Sequence, residues 1–193
     1  MFGYYLFDRN VFREYNSSMQ KRKINIFTSP TKGKMSRNGM VEDIAEFVDD
    51  DPASFYRLII GTDSQAKRIN GKSQIDFVTA IIIYRKGKGA RYFWRKEKKY
   101  TKEYNEQKKG GFLREKIYTE TLISLEIAQD IVPLARKLIS PRKYDLEIHI
   151  DVGPLGPTRD MIREVVGMVS GNGFVAKTKP SSWGASSVAD KHT

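Results

Sequence analysis

At 193 residues, 39% of them hydrophobic, the chain has room for one ordinary domain with a real core. The absence of cysteine excludes disulfides and thiolate metal sites, and two histidines, His149 and His192, are too few for imidazole-rich zinc chemistry, so any metal must be held mainly by carboxylates. A formal net charge of +11, from 34 Lys and Arg against 23 Asp and Glu, favours nucleic acid over a membrane, and with no bilayer-length apolar run or uncharged leader core the expected location is cytoplasmic.

Residues 1–26 mix aromatics (Tyr4, Tyr5, Phe7, Phe12, Tyr15) with the basic run Lys21-Arg22-Lys23. They show neither periodicity nor turn grammar and read as an arm, leaving 27–193 as the domain. From Phe27-Thr28-Ser29-Pro30 the chain passes a Gly-containing loop to Ser36, an N-cap for a helix over 36–49 with Met40, Ile44, Phe47 and Val48 at helical spacing. The run 56–60 reads as a buried strand that stops at Gly61-Thr62-Asp63-Ser64-Gln65, with Asp63 at its end. Strands over 75–84 and 90–99 follow, joined by Arg85-Lys86-Gly87-Lys88-Gly89, the composition of a hairpin loop. A long helix carries Ile117, Thr121, Leu122, Leu125, Ala128, Ile131, Val132 and Ala135 to about Leu138, with Pro133 placed to bend or split it. A strand over 144–151, an amphipathic helix over 157–170, a strand over 174–178 and a short terminal helix around 185–191 complete the order. Three strands in series, followed by alternating helices and strands, predict an α/β domain with a mixed five-stranded sheet. Its first three strands are antiparallel, its fourth and fifth run parallel to the first, and the first pairs with the fourth.

On adjacent parallel strands Asp63 and Asp151 would lie roughly 5 Å apart. Two acids brought that close repel each other unless a cation lies between them. The long helix offers a third carboxylate from Glu115, Glu120 or Glu126, and the terminal helix a fourth from Asp190. Four such acids can bind two Mg²⁺ or Mn²⁺ ions about 3.5 to 4 Å apart, an arrangement suited to phosphodiester hydrolysis. Each residue also has a plainer reading. Thr-Asp-Ser alone is commonly a turn closed by an Asx hydrogen bond, helix glutamates are commonly solvated, His149 reads as packed or hydrogen-bonded, and His192 as a terminal solvated imidazole. Between Arg85 and Lys116 stand thirteen Lys and Arg against four Glu, interleaved with Tyr92, Phe93, Trp94, Tyr100, Tyr104 and Phe112. This stretch is either a solvated hairpin or a phosphate-tracking ridge. The nucleic-acid contacts expected are Lys96, Lys98, Lys99, Lys108, Lys109 and Arg114, with Lys177 and Lys179 beside the last strand.

The segments Phe27-Thr-Ser-Pro30, Gly61-Thr-Asp-Ser-Gln65, Glu115-Lys-Ile-Tyr-Thr-Glu120, His149-Ile-Asp-Val-Gly153, Ala176-Lys-Thr-Lys-Pro180 and Ala185-Ser-Ser-Val-Ala-Asp190 together resemble the ribonuclease H-like superfamily. Within it they resemble a bacterial group of small proteins long described as a domain of unknown function. The resemblance spans 27–193 and implies the metal set Asp63, Glu120, Asp151 and Asp190, with Glu115 as the rival to Glu120. It further implies Mg²⁺ or Mn²⁺ as cofactor and nuclease activity on RNA or an RNA–DNA hybrid. The competing expectations are a nucleic-acid-binding module that kept the fold without catalysis and, from a related core, an actin-like phosphotransferase, which the lack of a second half-domain and of a Gly-rich nucleotide loop disfavours.

Overall fold

In a computed structural model of the chain, residues 26–69, 72–101, 109–156 and 158–192 are described. The predicted arm therefore lies outside the described residues, apart from Ile26. A seven-stranded mixed sheet has the order β2 (Gly33–Ser36), β1 (Ile26–Ser29), β5 (Ala90–Thr101), β4 (Lys72–Arg85), β3 (Tyr56–Ile69), β6 (Tyr144–His149), β7 (Val175–Lys177). The expected class holds, with two strands more than expected. The extra pair is a hairpin of β1 (Ile26–Ser29) and β2 (Gly33–Ser36), where the sequence reads as a loop. Each strand has four residues, too few to display a period of two; residues 30–32, led by Pro30, form the turn between them, and Gly33 (φ +70°) opens β2. The hairpin is tied to the sheet where Thr28 pairs with Trp94 of β5 (Ala90–Thr101), and Phe27 is fully buried.

Helix α1 (Arg37–Asp49) begins where Ser36 accepts a hydrogen bond from Gly39 N at 3.1 Å, and buries Met40, Val41, Ile44, Phe47 and Val48, the positions of a 3.6-residue stripe. Burial of each such side chain stabilises by roughly 1.5–3 kcal/mol. The Tyr56 hydroxyl, with one proton to donate, lies 3.0–3.3 Å from the carbonyl oxygens of Phe47, Val48 and Asp51, nearest that of Asp51, where the helix ends.

Strand β3 (Tyr56–Ile69) is much longer than its apolar run. Its antiparallel partner β4 (Lys72–Arg85) carries it past Gly61 through Asp63 and Ser64 to Ile69, so Asp63 sits inside a strand and not at its end. Beyond the Gly87–Gly89 turn, where Arg85 N donates to Gly89 O at 2.9 Å, β5 extends the meander. Helix α2 (Lys109–Leu138) is continuous through Pro133, whose ring lies on the exposed side, so the missing hydrogen bond faces water. Strand β6 (Tyr144–His149) runs parallel to β3 and its pairing stops at Gly61 opposite His149. Asp151 therefore follows β6 instead of closing it. The expected helix over 157–170 is a 3-10 turn (Arg159–Met161) followed by α3 (Ile162–Gly171). β7 (Val175–Lys177) pairs parallel with β6, and α4 (Gly184–His192) ends the described chain.

The two faces of the sheet are covered unequally. Leu58, Ile60, Ile81, Ile83 and Phe93 join α1, α2 and α3 in the main core. The opposite face, with Ile59, Ala80 and Ile82, is met by Val188 of α4, with Tyr84, Tyr92 and Trp94 packed at its margin.

Candidate active site

Strand alternation divides the Thr62-Asp63-Ser64 segment between these faces. Thr62 and Ser64 point toward α2: Ser124 donates to Thr62 Oγ1 at 2.9 Å, Thr62 bonds Thr79 at 2.9 Å, and Ser64 donates to Glu120 Oε1 at 2.7 Å. Asp63 points the other way, toward α4. Its Oδ1 accepts from the adjacent Ser64 N at 2.7 Å, so the local Asx-type bond exists, but within a strand and not a turn.

Glu120 is 2% exposed, and its Oε2 is buried without a hydrogen-bond partner. Burial drives its pKa up to about 8, against the opposing effects of Lys116, whose Nζ lies 3.6 Å from Oε1, and of Ser64; the charges of Asp63 and Asp151 push it further up. Burial also raises Asp63, with Asp151 and Asp190 adding to the rise and Ser64 N–H and Lys116 opposing it. The charge of Asp63 on β3 is thus coupled to Glu120 on α2, to Asp151 after β6 and to Asp190 on α4, near the end of the β3–β6 ladder. Glu115 is exposed and Glu126 half-buried, whereas Glu120 is buried and held against β3 by Ser64. Lys179 Nζ approaches Asp151 Oδ1 at 2.7 Å, and this ion pair raises the lysine's pKa.

Among the described residues, no three carboxylate or imidazole groups stand ready together around one metal position. The alternation explains why: Asp63 and Glu120 approach from opposite faces of β3, and Asp151 is turned to Lys179. The donor set nevertheless suits a hard divalent cation, being all carboxylate, with one buried oxygen of Glu120 left without a partner.

A sequence profile described as ribonuclease H-like matches residues 39–193. The chain belongs to the ribonuclease H-like family. It is also similar to a protein of Bacillus subtilis (strain 168) named "Uncharacterized protein YkuK", at 35% identity over 177 residues, covering 87% of this chain and 96% of that protein. No solved structure matches.

Within this ribonuclease H-like domain the terminal helix is held at both ends. Gly184 N donates to His149 Nδ1 at 3.1 Å, so the buried neutral ring carries its proton on Nε2, which meets Glu147 Oε2 at 3.0 Å. Burial lowers the pKa of His149, which favours that neutral form although Glu147 opposes it. At the other end His192 stacks on Trp94, with ring centroids 4.1 Å apart, and is not the solvated imidazole the sequence suggests. Lys96 donates to His192 O at 3.2 Å and pairs with the buried Asp76 at 2.9 Å.

The basic residues divide in the same way. Arg114 pairs with Glu164 at 2.6 Å, Lys177 lies 3.9 Å from Glu147, and Lys98 is exposed on β5. Lys108 lies outside the described residues, as do the side chains of Lys99 and Lys109. Sequence reasoning passed over Ser64 and Lys116 as partners of Glu120. The Lys116–Glu120 spacing of four on a helix is the signal that could have found the latter. No helix among the described residues is long and apolar enough to cross a membrane.

Proposed function

We propose that this ribonuclease H-like protein is a divalent-metal-dependent nuclease acting on RNA or an RNA–DNA hybrid, with Asp63, Glu120, Asp151 and Asp190 holding Mg²⁺ or Mn²⁺. The observation that carries the reading is the buried, unpartnered Oε2 of Glu120, electrostatically coupled to Asp63 and Asp151. Glu97 and Asp130 also keep one such oxygen, but those carboxylates are paired with Arg95 and Arg37, whereas the buried Glu120 has only Ser64 and, at 3.6 Å, Lys116. Ser64 supports the assignment by holding Oε1 and so leaving Oε2 as the available donor. A bound divalent ion supplies an activated water and charge stabilisation at the leaving oxygen. The chain's own residues contribute the negative cradle, the orientation of Glu120 through Ser64, and the placement of Asp190 through the two-ended hold on α4. Exposed basic residues such as Lys98 add salt-sensitive attraction to phosphate.

A second reading has a specific observation behind it. With Lys179 on Asp151 and Lys116 beside Glu120, the acids are partly balanced without an ion, as suits a nucleic-acid-binding module that has lost catalysis. One experiment separates the two. Purified protein and Asp63→Asn are assayed on RNA, hybrid and DNA with Mg²⁺ or Mn²⁺. The nuclease reading expects metal-dependent cleavage that falls by orders of magnitude in Asp63→Asn while binding persists. Salt-dependent binding without cleavage by either protein selects the binding module, and equal cleavage by both refutes the assigned site.

A further inference from the structure

Lys179 is anchored by its backbone and loose at its tip. Its N–H donates to Val152 O at 2.8 Å, extending the β6–β7 ladder past both strands. Its Cβ lies where a side chain on Gly153 would crowd it, 3.2 Å from an ideal Cβ at that position. The glycine thus admits the lysine root directly beside the segment that carries Asp151. From that root the ammonium reaches Asp151 Oδ1 at 2.7 Å and is influenced by Asp63 as well, yet the side chain is 54% exposed. Lys116 differs: it is 22% exposed and sits one helical turn from Glu120 on α2. One of the two lysines beside the acids is therefore free to swing away.

Resting on the metal-site reading above, we propose that Lys179 is a two-position counter-ion: it pairs with Asp151 in the metal-free protein, and turns to a phosphate of the bound strand when that carboxylate is engaged by a divalent ion. Asp151 cannot serve both cations at full strength, because an ammonium 2.7 Å from a ligand oxygen repels a second positive charge at the same oxygen. Once released, the ammonium remains tethered at the crevice, and a phosphodiester oxygen is the anion that the substrate brings there. Metal and nucleic acid then bind with positive coupling, and linkage requires that coupling to be reciprocal. Lys179 is thus a positioning residue with opposite effects on the two ligands.

The test uses the full chain, freed of metal, and Mn²⁺ as probe. Electron paramagnetic resonance titrations measure Mn²⁺ affinity for the wild type, Lys179→Met, Lys179→Arg and Asp63→Asn. Fluorescence anisotropy measures the affinity of a short RNA, checked to be intact afterwards, with and without Mn²⁺. Lys179→Met is expected to bind Mn²⁺ about three- to tenfold more tightly than the wild type, and to lose most of the gain in RNA affinity that Mn²⁺ brings to the wild type. Lys179→Arg should stay near the wild type in both, since it keeps the charge. A purely structural role for Lys179 would weaken both ligands together. If Lys179→Met binds Mn²⁺ no more tightly while Asp63→Asn abolishes binding, the counter-ion proposal fails and the metal-site reading stands. If the wild type shows no Asp63-dependent Mn²⁺ binding, both fail.

Discussion

Glu120→Gln tests the state of the buried acid directly, without reference to activity. The side chain is 2% exposed and burial raises its pKa from the usual 4.5 to about 8. The folded protein therefore holds this proton more tightly than the unfolded chain does. The stability linked to that proton is fully present below about pH 4.5, declines as the pH rises, and is lost once the pH passes about 8. At about 1.4 kcal/mol per pH unit, that interval caps the loss at roughly 5 kcal/mol. Local relaxation and water entry reduce it, and the expected difference between low and high pH is about 2–3 kcal/mol. Glutamine keeps an acceptor for the Ser64 hydroxyl and removes the titration. Urea unfolding of both proteins in EDTA, from pH 5 to pH 9, should therefore find similar stability at the acid end and a variant more stable by about 2–3 kcal/mol at the alkaline end. Adding Mn²⁺ should stabilise the wild type at alkaline pH and the variant far less. A stability difference that stays constant across the whole pH range would refute the assignment of a proton to Glu120.

Gly184→Ala should lower stability by about 1–3 kcal/mol, measured as a shift in the urea midpoint, and slow cleavage. An added Cβ would stand 2.8 Å from Ile59 Cγ2 and 3.2 Å from His149 Nδ1, displacing the start of the helix that carries Asp190. Lys96→Met should destabilise the fold by about 1–3 kcal/mol, because Lys96 and Gln74 hold Asp76 below the usual carboxylate range against the upward push of burial. Lys98→Met should leave stability unchanged in the same unfolding assay. It should weaken RNA binding in anisotropy measurements more than Lys96→Met does, since Lys98 is exposed on β5 while Lys96 is engaged with Asp76 and α4.

How much of this the sequence foretells depends on whether local pattern or long-range contact decides a feature. The stripe of Met40, Ile44, Phe47 and Val48 behind the Ser36 cap predicts α1 to within a residue, because capping and periodicity are local. The meander and the parallel pairing of β3 with β6 follow from apolar runs and the order of elements. The β1–β2 hairpin does not, since its pairing with β5 is what makes four-residue strands worth forming. The candidate acids are readable as residue types at strand and helix positions. The lysines that engage them are harder to read: Lys179 meets Asp151 only through the β6–β7 ladder, a contact across 28 positions of chain. A basic stretch likewise looks uniform in sequence, while the fold sets Lys96 against Asp76 and leaves Lys98 exposed.

The misread end of β3 bears most on the site. A strand that stopped at Gly61 would have left Asp63 and Ser64 in a turn, with no alternation to separate them. Because β4 carries β3 onward while β6 stops at His149, Asp63 and Ser64 occupy successive pleats along an edge that no parallel neighbour covers. Asp63 then faces the helix that carries Asp190, and Ser64 reaches through the other face to Glu120. Two helices packed on opposite sides of one sheet thus both carry charges that act on Asp63, Lys116 from one and Asp190 from the other. This geometry also accounts for acids that influence one another without converging. On the proposed metal reading, a shared ion would require Glu120 to give up its proton and Asp151 its lysine, and both steps would add to the cost of metal binding.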